Sequence, residues 1–413
     1  MKKLESSIEK QLPRDMVLFL RAAGKAAEDS GDKLYLVGGT VRDLLLKRSS
    51  LDIDLALEGN AVKFARQMAA ETGEKLTIHQ RFSTANFRHG EFTVDVATAR
   101  RETYAHPGAL PTIKPAKIKD DSGRRDFSVN AMAVDLSPSA FGQLLDFHGG
   151  MSDLDKKLIR ILHKKSFIDD ATRIFRAIRY EQRLGFTIED VTERLLRKNI
   201  AMMNSLSGDR LRNELELLLR EERPEKTLYR ADELGVLHQI NRSLKSNSWL
   251  ADRFAEARDR YIASPSLYFA LLSYDLDREN AEAISDRLNL SGDWKRIVLG
   301  VAKINEDIHK LADPAIPAST VYRFLKRYPV EAVSACFLSN ESRVVRSQIE
   351  RYLKDLQYVQ IRLDGNKLKG MGIEAGPRLG RILKALQDAK LDGLADTKEE
   401  EETFESYWLQ THK

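Results

Sequence analysis

Cysteine is almost missing from this chain of 413 residues, which holds one, Cys336, in the apolar run VSACFL. A single thiol makes no intrachain disulfide and no cysteine metal cluster, and in such a run it reads as a small buried apolar side chain rather than a nucleophile. No apolar stretch approaches the ~20 residues of a membrane span, so no membrane is expected among its partners. The opening MKKLESSIEKQLPRD lacks the apolar core of a secretory leader, and the expected location is cytoplasmic. Histidines such as His79, His89, His106, His148 and His163 are scattered, without the His-Asp pairs that a metal-dependent phosphohydrolase would need. No repeat of fixed period is present, which argues against a solenoid. A strong charge of one sign is lacking too: 67 Lys and Arg against 62 Asp and Glu leave +5. That balance fits a polyanionic partner, although many proteins without one are as basic.

What is present is ample core material, with 42% hydrophobic and 31% charged residues. The length predicts two to four domains. Residues 1–31 have helical spacing, stopped by Gly31-Asp32. KLYLVGG is a strand entering a glycine turn, followed by a helix over 40–47 and a strand over 51–56. Helical period over 61–72 ends at Gly73, and short strands are expected at 75–78, 84–88 and 91–97. From Arg101 to Gly123 the pattern breaks: proline, glycine and polar residues dominate. This predicts a long surface connector, of a length more often functional than idle. After about Ile159 the chain reads as helical, over 169–184, 188–199, 209–220, 224–234 and beyond. Pro377 suits the first turn of a late helix, whose start could hold a phosphate or simply be capped. Glu399 to Glu402 reads as a solvated acidic patch.

Three clusters carry chemistry. In LVGGTVRDLLLKRSSLDIDL, Gly38 and Gly39 open an amphipathic segment with Arg42 and Asp43, and Asp52 and Asp54 flank one apolar residue. Strand alternation puts both carboxylates on one face. Two hard carboxylates beside a flexible glycine cradle point to a magnesium–nucleotide site. Asp95, alternating with apolar neighbours in EFTVDVA, is a candidate third ligand, or a half-exposed edge-strand carboxylate. The second cluster is Arg124, Arg125, Asp126 and Asn130. These could pair with one another at a surface, or the guanidinium forks could bind phosphate oxygens. The third is Asp170 and Arg173, three apart and facing the same way if helical. A local ion pair looks the same from sequence. Yet a carboxylate acceptor beside a guanidinium donor also matches the Watson–Crick edge of cytosine or adenine. Uracil and guanine present a carbonyl and a ring N–H at those places and would be left unpaired.

The ordered set LVGGTVRDLLL–DIDL, RRDFSVNAMA, LLDFHGGMSDL, DDATRIFRAIRYEQRLGF and GDRLRNELELLL resembles the class II tRNA nucleotidyltransferases of the polymerase-β superfamily. These are the CCA-adding enzymes and the related bacterial poly(A) polymerases. The resemblance covers about residues 34–220, with a further likeness over about 362–395 to the family's tRNA-binding tail. It implies an α+β fold: a polymerase-β-type nucleotidyltransferase head with a small mixed sheet, then an all-helical neck, body and tail. The expected domains are 1–137, the catalytic head; 138–225, the neck that recognises the base; 226–335, the body; and 336–413, the tail.

By the same resemblance, Gly38, Gly39 and Arg42 would hold the triphosphate with Asp43 as companion, and Asp52 and Asp54 would bind catalytic Mg²⁺. Arg125, Asp126 and Asn130 match the ribose motif. Asp170 and Arg173 match the amino-acid template for the incoming base, with Arg176 a neighbouring candidate, and Arg210 and Glu214 match a supporting motif. Asp169 departs from the glutamate usual there, which shortens a supporting side chain. Glu102 and Tyr104 begin a segment resembling the family's flexible loop, whose length here argues against a CC-only enzyme. The implied function is template-independent addition of CCA to tRNA 3′ ends from CTP and ATP, with pyrophosphate released and the tRNA held by its acceptor and TΨC arm. No protein partner is implied. The alternatives are an A-adding enzyme acting on tRNA ending in CC, a poly(A) polymerase, and a catalytically idle RNA-binding protein; retention of Asp52 and Asp54 counts against the last.

Overall fold

The structure is a computed structural model that describes residues 2–48, 52–72, 75–106, 108–109, 111–260, 262–290 and 292–411. It divides into two compact units, Met1–Glu214 and Leu215–Lys413.

The first unit begins with two helices, α1 (Glu5–Gln11) and α2 (Arg14–Asp29), where one helical stretch was expected. Pro13 divides them. The residue before a proline is driven to extended backbone, and Leu12 sits at φ −97°, ψ 146°, ending α1. Then come β1 (Leu34–Val37), α3 (Gly39–Leu45), β2 (Asp52–Leu57), α4 (Ala61–Thr72), β3 (Thr77–His79), β4 (Thr84–His89) and β5 (Phe92–Thr98). Leu51 and Gly73, the expected start of β2 and stop of α4, lie outside the described residues.

The described residues of the segment expected to be an irregular connector hold regular structure. They form an antiparallel ribbon of β6 (Arg100–Thr103) and β7 (Thr112–Pro115), followed by α5 (Ile118–Gly123). Sequence pattern missed the ribbon because its strands are four residues each and neither buries an apolar face. Beyond lie β8 (Ala133–Asp135) and β9 (Leu144–Leu145). The sheet runs β3-β4-β5-β2-β1-β8-β9, with β2 and β5 parallel and the other pairs antiparallel.

This mixed sheet decides where the carboxylates go. Leu34, Leu36, Ile53, Leu55, Leu57, Val94 and Val96 point to one face and pack with apolar residues of α1 to α4. Full burial of each such side chain is worth about 1.5–3 kcal/mol. A one-residue slip would turn all of them to the other face, so the register is strongly held. Asp52 and Asp54 are thereby forced onto the opposite face. That face has only a small apolar cluster: Tyr35, Val37, Ala56, Ile118 and Ala133.

The rest of this unit contains α6 (Gly150–Asp155), β10 (Leu158–Ile159), α7 (Ser166–Asp169), α8 (Thr172–Leu184), β11 (Thr187–Ile188), α9 (Asp190–Asn199) and α10 (Gly208–Leu219), which runs past its boundary. One helix was expected over 169–184; the chain instead breaks at Asp170, whose backbone is extended at φ −145°, ψ 103°. Asp170 Oδ1 accepts from the backbone N–H and the hydroxyl of Thr172. Aspartate offers the backbone this local alternative to a helical bond.

Among the described residues of the second unit every regular element is a helix. Its apolar helices Pro265–Leu272 and Val330–Ser339 are almost wholly buried. Cys336 lies in the latter, 0% exposed, and burial pushes its thiol pKa up, as fits an inert core residue. A separate cluster of Leu363, Leu368, Ile373, Leu379, Ile382 and Leu386 organises the last helices. Pro377 stands in the first turn of Pro377–Leu391, where it was expected. The acidic patch is a correction: Glu401 is fully buried, paired with Lys390 at 2.7 Å, and accepts from the backbone N–H groups of Arg362 and Leu363. None of the described helices is long and apolar enough to cross a membrane.

Candidate active site

The end of β1 and the start of α3 meet at Gly38, whose φ is +71°. A Cβ there would stand 2.8 Å from an Arg125 guanidinium nitrogen and 3.2 Å from an Asp54 carboxylate oxygen. Glycine is required on both counts, since the left-handed region disfavours side chains and the space is taken. Thr40 ties α3 to β2: its hydroxyl donates to Asp52 O at 3.2 Å and accepts from Asp54 N–H at 3.1 Å. Asp54 lies opposite Asp95 in the parallel β2–β5 register. Burial pushes the Asp54 carboxyl up; Arg125 opposes the shift, while Asp95 and Asp52 add to it. Asp95 is pushed up by burial and by Asp52. Among the described residues no three His, Cys, Asp or Glu side chains form a ready metal cage. What β2 presents is a pair of carboxylates with Asp95 alongside.

A continuous polar chain extends from α3 to α8. Arg42, 6% exposed, holds both oxygens of Asp43 at 2.9 and 2.8 Å and donates to Asn130 Oδ1 at 2.7 Å. Asn130 donates to Asp126 at 3.1 Å, and Asp126 accepts from Arg176 Nε at 2.7 Å. Arg176 also donates to the Tyr180 hydroxyl at 3.1 Å, and the Tyr180 ring lies 5.2 Å from the Arg42 guanidinium. Burial pushes Asp126 up, but Arg176 and the Asn130 amide outweigh it and hold the carboxyl below its ordinary range. Arg124, Arg125 and Asp126 therefore do not pair with one another. Both arginines bind Asp121, 1% exposed, while Asp126 turns to α8.

The ribbon supplies a second hub. Glu102 accepts from Arg100 at 3.0 Å, from Arg124 at 2.9 Å and from the Tyr104 hydroxyl at 2.9 Å. Burial beside Glu102 raises the Tyr104 pKa, which keeps the phenol protonated as the donor. Asp170 and Arg173 do not pair. Arg173, 5% exposed, is anchored to the Ser166 hydroxyl at 2.6 Å and to Arg124 O at 2.7 Å. Asp170 Oδ1 accepts from Arg210 at 2.7 Å, and the same guanidinium reaches Gly108 O in the ribbon turn at 3.2 Å. Glu214 lies 3.8 Å from Arg179 with a buried oxygen that has no hydrogen-bond partner, and burial raises its pKa. Asp169 ends α7, 3.9 Å from His163 Nδ1.

One cavity of about 340 Å³ gathers these groups. Gly38, Gly39, Arg42, Asp54, Arg125, Asp126, Asn130, Asp170, Arg173 and Arg176 all line it, with Glu102, Tyr104, Tyr180 and Arg183. Asp52 and Asp95 stand beside it on the sheet. Sequence reasoning missed Thr40, Asp121, Ser166 and Tyr180. Tyr180 alone carried a signal, four residues after Arg176 on one helix face. Asp121 lay in the stretch read as a connector, and Ser166 meets Arg173 only through the turn between α7 and α8.

The chain matches two family models: poly A polymerase head domain over residues 34–160, and probable RNA and SrmB-binding site of polymerase A over 185–247. It is 34% identical to an A-adding tRNA nucleotidyltransferase of Geobacter sulfurreducens over 95% of this chain, and spans about half of that protein, 47%. It is 33% identical to an A-adding tRNA nucleotidyltransferase of Halalkalibacterium halodurans, covering 94% of this chain and 92% of the relative. A solved structure of the Thermotoga maritima CCA-adding enzyme complexed with tRNA aligns with TM-score 0.76 and 31% identity, over 98% of this chain and 99% of that one.

Proposed function

This chain belongs to the family of tRNA nucleotidyltransferases and poly(A) polymerases, and from that premise we propose that it adds CCA to the 3′ end of tRNA from CTP and ATP without a nucleic-acid template. The supporting observation is that one cavity joins Asp54, Arg42 and Arg125 to Asp170 and Arg173. The first three suit phosphate and metal, the last two the edge of a base.

The primer's terminal hydroxyl oxygen attacks the α-phosphorus, the bond to the β-phosphate oxygen breaks, and pyrophosphate leaves. Gly38 lets Arg125 and Asp54 close in on the backbone, and Arg42 and Arg125 supply guanidinium donors to the phosphate oxygens. Asp52 and Asp54 offer the hard oxygens that Mg²⁺ takes, and a cation would offset the burial and the neighbouring carboxylates that raise Asp54. When bound, Mg²⁺ would offset charge on the triphosphate and favour ionisation of the attacking hydroxyl. Asp170 Oδ2, which has no bond to Thr172 or Arg210, accepts from N4–H of cytosine or N6–H of adenine. Two of the five Arg173 donors are spent on Ser166 and Arg124, so the remaining ones face the ring nitrogen from a fixed guanidinium. In this reading 1–137 is the catalytic head, 138–225 selects the base, 226–335 is the body, and 336–413 is a tail that binds the acceptor and TΨC arm.

A second reading, addition of the final A alone, is favoured by the A-adding names of the Geobacter and Halalkalibacterium relatives. One assay decides between them. tRNA ending before CCA, after C and after CC is offered CTP, ATP or both, and the products are sequenced. CCA addition extends all three; extension of the CC-ended RNA only, by A only, overturns the first reading in favour of the second.

A further inference from the structure

The first unit holds a second, larger cavity of about 930 Å³. It lies at the other end of β2 from the carboxylates. Its wall includes Glu58 and Gly59, just past the last residue of β2, and Thr98, the last of β5. At ~3.3 Å per residue, Glu58 is about 13 Å along the strand from Asp54 and about 20 Å from Asp52. The rest of the wall mixes neutral residues and Asp120 with five cations. Lys63 and Arg66 come from one face of α4, Arg101 and Lys114 from the ribbon, and Lys117 from the turn after it.

The ribbon makes the two cavities back-to-back neighbours. Residues directly opposite in an antiparallel pair share a face, and Arg101 pairs with Lys114 while Glu102 pairs with Ile113. Glu102 faces the nucleotide cavity; Arg101 and Lys114 face the larger one. Two of the five cations are neutralised, Arg101 by Asp120 at 2.8 Å and Lys117 by Glu58 at 3.1 Å. Among the described residues Lys63, Arg66 and Lys114 form no ion pair with a carboxylate, so the described wall carries three uncompensated positive charges. Among the described residues no aromatic ring lines it, so none of them offers a base a stacking platform.

From these observations we propose that the larger cavity holds a stretch of the RNA substrate's phosphodiester backbone, as a sequence-blind contact separate from the nucleotide site. The proposal rests on the RNA-extension reading above. A free nucleotide would favour a ring to stack its base on, and the described wall offers none. A phosphate backbone needs only spaced cations, which Lys63, Arg66 and Lys114 provide. Phosphate contacts of this kind position RNA without reading it, and each one released adds to the salt dependence of binding.

The test uses the full chain with Lys63→Ala, Arg66→Ala and Lys114→Ala combined. All three side chains are exposed, so the fold should be unaffected, which circular dichroism and the melting temperature would verify. Binding of tRNA ending in CC is read by fluorescence anisotropy from 50 to 200 mM salt, apart from catalysis, and KM for ATP is measured alongside. The expected result is RNA affinity about tenfold weaker, a log–log salt slope shallower by about two to three, and unchanged KM for ATP. Unchanged RNA affinity and slope would overturn the proposal. So would intact RNA binding with lost inhibition by inorganic tripolyphosphate, which would make the groove a small-polyanion site. Wild-type protein decides the parent reading independently: if it extends tRNA while the variant binds RNA normally, only the groove fails.

Discussion

Asp54 is the side chain on which the site's electrostatics converge. It is half-buried, close to Asp52 and Asp95, and offset only partly by Arg125, so its pKa is raised. The folded chain therefore holds this proton to higher pH than the unfolded chain does. Stability falls as pH rises from the ordinary carboxylate value through the raised one, and stays lower above it. Asp54→Asn should accordingly raise the melting temperature at pH 7 in metal-free buffer. It should also abolish the further rise on adding Mg²⁺ and cut incorporation by about a thousandfold or more, the scale of losing several kcal/mol of metal assistance. A scan of melting temperature with and without Mg²⁺ checks all three. Asp126 has the opposite sign: its carboxyl is held low, so its contribution is present above the ordinary carboxylate value and is lost as pH falls through the folded one. Asp126→Ala strands Arg176 and Asn130 and should cost about 2–3 kcal/mol, between exposed and fully buried pairs because Arg176 is 37% exposed. Urea unfolding measures it.

Between residues and the whole chain lie the elements, and here turns matter more than regular structure. The break between α7 and α8 aims Asp170 and Arg173 by separate anchors: Thr172 and Arg210 for one, Ser166 and Arg124 for the other. Thr172→Val keeps the branched shape and removes the hydroxyl donor. It should lower stability by about 1 kcal/mol and erode the preference for C and A over U and G about fivefold, with KM for the triphosphate little changed. Misincorporation ratios test this, and an unchanged preference would detach Asp170 from base choice. On the sheet, Leu55 belongs to the apolar face whose burial turns Asp52 and Asp54 outward. Leu55→Ala should cost about 2–5 kcal/mol, read by thermal unfolding.

On the scale of the molecule, two units are stabilised by different means. The first is a sheet sandwiched unequally, with its polar network on the thinly covered face. The second is helical, and its last segment is pinned by Glu401, a carboxylate with 0% exposure that accepts two backbone N–H groups and Lys390. Glu401→Ala leaves those donors and the cation unpaired and should cost about 3 kcal/mol locally. Hydrogen exchange should then speed up over 362–411 while β1 to β5 keep their protection.

Periodicity and turn chemistry determined a good deal without coordinates: β1, β2 and β5, the helices after Ile159, the buried state of Cys336, and the shared face of Asp52 and Asp54. These are legible because apolar spacing is local information, and a strand's alternation follows from its own residues. Tertiary structure alone decided the rest. It made a ribbon of a stretch with no apolar face and buried Glu401 in what read as a solvated patch. It also gave Arg125 to Asp121 and Asp126 to Arg176, where sequence offered the adjacent residues as partners for one another. Glu401 and the Asp126–Arg176 pair share one physical reason. An ion pair, a cap or a buried carboxylate is fixed by which side chain arrives through space, and between residues 50 apart the sequence carries no record of that meeting.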